Sequence, residues 1–231
     1  MLIQAKDWFC ERTGFDRVWE ALLERHVPEA KGPVSWLFTL GSASMFVFSV
    51  QVVTGALLAM NYVPSPDHAY DSVRYIGSSV LAGSFIRGLH HWGASFIVVL
   101  TVLHMMRTYF MGAYKYPREG TWIVGVALLG VVIGFGFTGY LLPWDQKAYW
   151  ATAVGTNIAA QTPVVGTMVS KILKGGPEMG APTLTRFYAL HVLVLPAIML
   201  ILMGLHLFLV VWHGISQPPT RENGKGGESR G

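Results

Sequence analysis

Charge is what this sequence has least of. Asp, Glu, Lys and Arg make up 13% of its 231 residues against 52% hydrophobic, whereas a soluble domain carries about 25% charge. The shortage is also uneven: no charged residue occurs from Gly32 to Pro66, Gly88 to Met106, Gly120 to Trp144 or Phe187 to Thr220. An ordinary soluble core is excluded. One crossing of a hydrocarbon layer takes about 20 apolar residues, so these stretches are four candidate transmembrane helices. Cysteine is nearly absent as well. Cys10 alone rules out an intrachain disulfide and a thiolate cluster, and it reads as an incidental thiol. No cleavable leader is expected, since Met1 to Pro33 alternates acids and bases instead of entering an apolar run. The first span then doubles as the insertion signal.

What charge there is lies between the spans, so the formal +4 reads as a determinant of membrane orientation and not of nucleic-acid binding. In residues 1–33, Trp8, Phe9, Phe15, Val18, Trp19, Leu22, Leu23 and Val27 recur at helical spacing among Lys6, Arg12, Arg17, Glu20, Glu24 and Arg25. That is the pattern of an amphipathic helix lying on a membrane surface. Residues 34–216 hold the spans, about Leu37 to Tyr62, Gly83 to Met111, Trp122 to Leu142 and Leu184 to His213, with Pro64 and Pro66 in a loop after the first. The uncharged stretch Ala148 to Ser170 is not a fifth crossing. Thr152, Thr156, Asn157, Gln161, Thr162 and Pro163 would put too many polar groups and a helix breaker in lipid, so short interfacial helices are expected there. Residues 217–231 are Gly, Pro and charge, the composition of a flexible tail.

The expected fold is therefore an all-α membrane protein, a four-transmembrane-helix bundle with an N-terminal surface helix and interfacial helices between the third and fourth spans. Four crossings place both termini on one side. That side carries eleven basic residues (Lys6, Arg12, Arg17, Arg25, Lys31, Arg107, Lys115, Arg118, Arg221, Lys225, Arg230) against six on the other (Arg74, Arg87, Lys147, Lys171, Lys174, Arg186). The excess predicts termini in the cytoplasm, or in the equivalent stroma or matrix.

Ionisable or metal-binding side chains inside a span call for a functional reading. His90 and His104 are 14 residues apart on the second helix, about 21 Å along it and about 40° around it. His191 and His206 are 15 apart on the fourth, about 22 Å and about 60°. These two helices run in the same direction, so His90 pairs with His191 near the outer surface and His104 with His206 near the inner one. Two imidazoles facing one another are natural axial ligands of a low-spin heme iron, which carries electrons and binds no oxygen. Histidines bonded to backbone carbonyls or lining a proton path are the alternative, and matched depth on parallel helices weighs against it. His91 falls on the far side of the helix from His104, His213 sits at a span's end, and His26 and His68 lie outside the spans, so these take surface roles.

Glycines point to the same two levels. Gly41 and Gly55 are 14 apart on the first helix, and Gly125 and Gly139 are 14 apart on the third. A porphyrin needs such bare helix surface to approach. Arg87 and Arg107, each three residues outside its histidine on the same helix, are candidates to meet heme propionates, with membrane-boundary arginine as the simpler reading.

The stretches SVQVVTG (Ser49 to Gly55), RGLHHWGAS (Arg87 to Ser95), YPREGTW (Tyr116 to Trp122), GYLLPWDQ (Gly139 to Gln146) and TLTRFYALH (Thr183 to His191) resemble the cytochrome b family. The resemblance runs from about Trp36 to Pro219. The 15-residue interval from His191 to His206 is similar to the short, split b6 type, and not to the 14 of the mitochondrial type. The resemblance implies two non-covalent b-type hemes, with the four histidines as iron ligands and in no acid or base role. It also implies quinol oxidation with bifurcated electron transfer and proton translocation. The implied partners are a separate subunit like the C-terminal half of cytochrome b, a Rieske iron-sulfur protein, a c-type cytochrome or plastocyanin-like acceptor, and membrane lipid, in a dimeric complex. A bacterial cytoplasmic membrane is the expected location.

By the same resemblance and by location, Tyr140, Pro143, Trp144, Tyr149, Trp150 and the helices up to Lys174 form this chain's part of an outer quinol pocket. One position departs from the family. The b6 type attaches an extra heme covalently through a cysteine where this chain has Thr39, so no covalent third heme is expected, and Cys10 is too far upstream to replace it. Two other readings remain beside this one: a diheme membrane anchor of a dehydrogenase or hydrogenase without bifurcation, and a non-catalytic transporter or assembly subunit.

Overall fold

The computed structural model describes Cys10 and residues 32–216, with side chains from 35 onward. The expected surface helix before residue 32 and the tail 217–231 lie outside the described residues. A 3₁₀ segment, Gly32–Thr39, leads into α1, Leu40–Ala59. There follow α2, Ala69–Ser78; α3, Gly83–Phe110; α4, Glu119–Leu141; α5, Gln146–Ala160; α6, Gly166–Lys174; and α7, Ala181–Ala189. A π turn, Leu190–Val194, joins α7 to α8, Leu195–His213. No strand occurs among the described residues.

Four stretches are long and apolar enough to cross a membrane: Ser35–Ala59, Gly83–Phe110, Glu119–Leu141 and Ala181–His213. The protein is an integral membrane protein. Phe46, Val53, Trp92, Phe96, Leu193 and Ile201 all point outward from these spans, as residues facing lipid do. The third span begins at Glu119 and the fourth at Ala181, each three residues before the apolar windows suggest. Helices continue beyond the hydrocarbon: Glu119 complements the positive helix start, and Pro182 suits a first helical turn.

Two features differ from the sequence reading. The segment after Pro64 and Pro66 is not all loop. It folds α2, burying Ala69, Ser72 and Ile76 along one face, a spacing of three and four residues that short length and Asp71 and Arg74 obscured. The fourth span is not one regular helix. Pro196 cannot donate to the carbonyl of Val192 and its ring crowds that carbonyl. The chain widens there instead, and Leu195 N–H donates to Leu190 O, five residues back.

The first span packs on the second, the second on the third, and the third on the fourth. In lipid such packing is held by van der Waals fit, not by water exclusion. One core cluster, Ile97, Leu128, Val132 and Met199, gathers Phe48 and Phe135 around it. Ile97 is seven residues from both His90 and His104, so this cluster sits midway between the two histidine levels. A second, Ala69, Leu141, Leu184 and Phe187, ties α2 to the end of the third span and the start of the fourth. Beside it Tyr62 stacks on Tyr188 at 5.5 Å and its hydroxyl donates to Leu142 O at 2.7 Å. Burial, then the Tyr188 phenol, raises the Tyr62 pKa well above the ordinary tyrosine value. At the other end Arg118 Nε donates to Gly214 O at 3.2 Å, joining the start of the third span to the end of the fourth.

Candidate functional site

The rings of His90 and His191 face each other at 6.3 Å between centroids and 76° between planes. Those of His104 and His206 do so at 6.5 Å and 76°. Metal–imidazole bonds of about 2 Å, extended on each side by roughly 1 Å from nitrogen to ring centre, put two axial imidazoles about 6 Å apart. Both pairs fit an iron between them. Among the described residues no three His, Cys, Asp or Glu side chains gather as a protein-only metal site. Two imidazoles per level suit a metal whose other donors come with a macrocycle.

The π turn brings the rotation between the histidines of the fourth span into line with that of the second. A 15-residue interval on a regular helix rotates His206 about 100° further than a 14-residue one would. The single five-back turn takes up one residue, so the fourth span presents its histidines on the same face as the second despite the longer interval.

Each of the four glycines backs onto one of these imidazoles. A Cβ on Gly55 would lie 3.1 Å from His90 Cε1, and one on Gly41 3.1 Å from His104 Cε1. On the third span, a Cβ on Gly139 would stand 2.6 Å from His191 Cε1 and one on Gly125 3.4 Å from His206 Cε1. The first span thus supports the histidines of the second, and the third those of the fourth. Bare backbone admits the edge of the ligand imidazole, a closer use of glycine than porphyrin clearance alone.

The two levels differ in what meets Nδ1. Thr54 Oγ1 is 3.0 Å from His90 Nδ1 and Thr138 Oγ1 is 3.1 Å from His191 Nδ1. Both hydroxyls already donate to their own helix, Thr54 to Val50 O at 2.6 Å and Thr138 to Gly134 O at 2.8 Å. Each histidine therefore donates its Nδ1–H to the threonine and keeps the Nε2 lone pair free. By contrast, Nδ1 of His104 and of His206 is buried without a hydrogen-bond partner. The backbones of Gln51, Phe135 and Thr121 also approach His90, His191 and His206 in turn, so the difference between the levels lies in the threonine hydroxyls. Neither threonine stood out from the sequence, although each directly precedes one of the spaced glycines.

Arg107 is buried 9% exposed, with its guanidinium 4.1 Å over the Phe38 ring and Nε and Nη2 unpartnered. A buried cation held this way is set for an anion. Arg87 is exposed. Thr39 is exposed beside the His104 level, its hydroxyl donating to Trp36 O at 2.7 Å.

Of the five residues expected around a quinol pocket, Trp144 lines a cleft of about 480 Å³ with Tyr70, Asp145, Gln146 and Lys147. Tyr149 packs edge-on against both Trp144 (5.6 Å) and Trp150 (5.2 Å). Trp150 is exposed and donates its indole N–H to Gln146 Oε1. Tyr140 is 44% exposed and Pro143 partly so; neither borders the cleft. Tyr70 was missed because it rides on α2. Asp145 caps α5, accepting from Ala148 N–H at 2.7 Å, and so fixes the chain direction at Trp144.

Residues 26–214 match the family model described as Cytochrome b/b6/petB. The chain is similar to the menaquinol:cytochrome c reductase cytochrome b subunit of Bacillus subtilis (strain 168), 45% identical over 223 residues, covering 94% of this chain and 100% of that one. It is similar to cytochrome b6 of Prochlorococcus marinus (strain MIT 9303), 40% identical over 212 residues, covering 92% and 96%. Among solved structures it resembles a chain of a hyperthermophilic respiratory Complex III, with TM-score 0.81 and 33% identity, covering 97% of this chain and 58% of that longer one. Four apolar spans, paired intramembrane histidines and similarity over nearly the whole length agree: the chain belongs to the cytochrome b/b6 family.

Proposed function

We propose that this chain is the diheme cytochrome b subunit of a quinol:cytochrome c (or plastocyanin-like acceptor) oxidoreductase. It carries electrons across the membrane from an outer quinol-oxidation site to an inner quinone-reduction site and contributes to proton translocation. The observation that carries this reading is the pair of facing histidines at 6.3 and 6.5 Å, repeated at two depths of one bundle. Heme bound at each level would supply reversible one-electron chemistry.

The chain's own residues hold and orient. His90 with His191, and His104 with His206, would hold the hemes through their imidazole nitrogens; Gly41, Gly55, Gly125 and Gly139 let those rings sit against the neighbouring spans. Arg107, and at the opposite level Arg87, would meet the propionates. Ile97, Leu128, Val132 and Met199 keep the region between the levels dry and apolar. The cleft at Trp144 and Tyr70 is this chain's share of the outer quinol site, and Thr39 leaves the b6-type covalent heme without an attachment point.

The chain's partners are a separate subunit like the C-terminal half of cytochrome b, a Rieske protein and a c-type cytochrome in a dimeric complex; the relatives named as a menaquinol:cytochrome c reductase subunit and as cytochrome b6 support its place in such an assembly. The membrane is a bacterial cytoplasmic one, and the excess of basic residues on the side of the termini supports their lying in the cytoplasm. A reduced-minus-oxidised spectrum of the purified complex, with a pyridine hemochrome assay, should give b-type bands and two protohemes per chain. Absence of heme sinks the reading. A complex with two hemes but no Rieske centre would instead make the chain a dehydrogenase or hydrogenase anchor. Replacing His206 should remove only the heme of the His104 level.

A further inference from the structure

The two cofactor levels are built alike in backbone and unlike in one atom. At the His90 level the residue before each supporting glycine is a threonine, Thr54 before Gly55 and Thr138 before Gly139; fourteen residues earlier on the same spans the matching positions are Leu40 before Gly41 and Val124 before Gly125. The spacing that makes the glycines equivalent makes these positions equivalent too. Hydroxyl oxygens therefore reach the ligand rings at one level only, and at the other level no side-chain hydroxyl meets either Nδ1.

We propose that Thr54 and Thr138 are positioning residues for one heme alone, accepting the Nδ1–H of His90 and His191 and thereby fixing their tautomer and increasing their electron donation to iron. The inference rests on the two-heme reading above. A hydrogen bond donated from Nδ1–H leaves negative charge on the ring and raises the basicity of Nε2. Each hydroxyl is itself polarised by donating to a helix carbonyl, so charge drawn along this short chain reinforces the effect. A more basic axial pair favours the ferric over the ferrous state. The threonines thus make the heme of the His90 level harder to reduce than it would be without them, and leave the heme of the His104 level untouched.

The test uses the intact complex. Thr54→Val and Thr138→Val remove the hydroxyl at nearly constant volume; Thr54→Ser and Thr138→Ser retain it. Redox potentiometry follows the two b-type absorbances, assigned with the His206 variant, which keeps only the heme of the His90 level. Each Val change should shift the reduction equilibrium of that heme about tenfold toward the reduced state, which is about 59 mV for a one-electron couple. The other heme should not move, and the Ser variants should stay at the wild-type value. Two hemes with neither potential moved, or with both moved equally, overturns the proposal. If a Val variant loses the heme of the His90 level, its retention in the Ser variant supports the hydroxyl role and its loss there overturns it. A wild-type complex with fewer than two hemes per chain would overturn the functional reading itself, and so is distinct from failure of the threonine proposal alone.

Discussion

Gly139 stands closer to His191 than any of the other three glycines stands to its own imidazole, with 2.6 Å between an added Cβ and His191 Cε1. Nothing flexible lies in the way except the ring itself, which cannot shift without losing its aim at His90. Gly139→Ala should therefore cost the heme of that level, leaving about one protoheme per chain. Gly125→Ala, where the same Cβ would meet His206 Cε1 at 3.4 Å, should retain both. Gly41→Ala and Gly55→Ala, at 3.1 Å, should fall between, with overpacking costs of about 1–3 kcal/mol. Pyridine hemochrome content per chain reads the order directly.

The π turn before Pro196 takes up the extra residue of the fourth span. Deleting Leu193, an exposed position within it, together with Pro196→Ala should convert the turn to regular helix and leave both histidines on one face. Two hemes per chain are expected in the deletion variant. Loss of either heme would show that the turn does not carry the register.

Arg107 is buried with two guanidinium nitrogens unpartnered, a costly state unless an anion answers it. Arg107→Gln should speed loss of the heme of the His104 level, followed spectrally with a soluble apo-globin as acceptor. Arg87→Gln, at an exposed site, should release its heme much less readily. Equal rates for the two variants would remove Arg107 from the propionate role.

Tyr62 joins the first loop to the end of the third span through one hydrogen bond to Leu142 O. Tyr62→Phe should lower thermal stability by about 1 kcal/mol. The pKa of Tyr62 is raised in the fold, so its contribution is whole at neutral pH. It falls as pH climbs past about 10, where tyrosine in the unfolded chain ionises. The gap between wild type and Tyr62→Phe should accordingly narrow in alkaline buffer.

The spans were legible because hydropathy over about 20 residues needs no knowledge of neighbours. That Ala148 to Ser170 forms short helices and not a fifth span was legible from its polar residues and Pro163, and α5 and α6 occupy it. Histidine depth was legible because rise per residue is a local property of any helix. By contrast α2 was hidden: ten residues bearing Asp71 and Arg74 carry too little apolar signal until Ala69 and Ile76 meet Leu141 and Phe187. Tyr70 then reaches the Trp144 cleft from a segment 74 residues away in sequence.

The amino-acid sequence by itself determined the membrane class, the number of spans, the two histidine levels and the glycine rows beside them, because each follows from composition or from spacing along one helix. Tertiary structure decided how those levels are finished. Pro196 shifts the hydrogen bonding of the fourth span by one residue, so a 15-residue interval can face a 14-residue one. The hydroxyls of Thr54 and Thr138 reach ring nitrogens on another span, and Phe38 covers Arg107 across the first and second spans. Each is a contact between helices, set by packing and side-chain direction, on which spacing along a single chain carries no information.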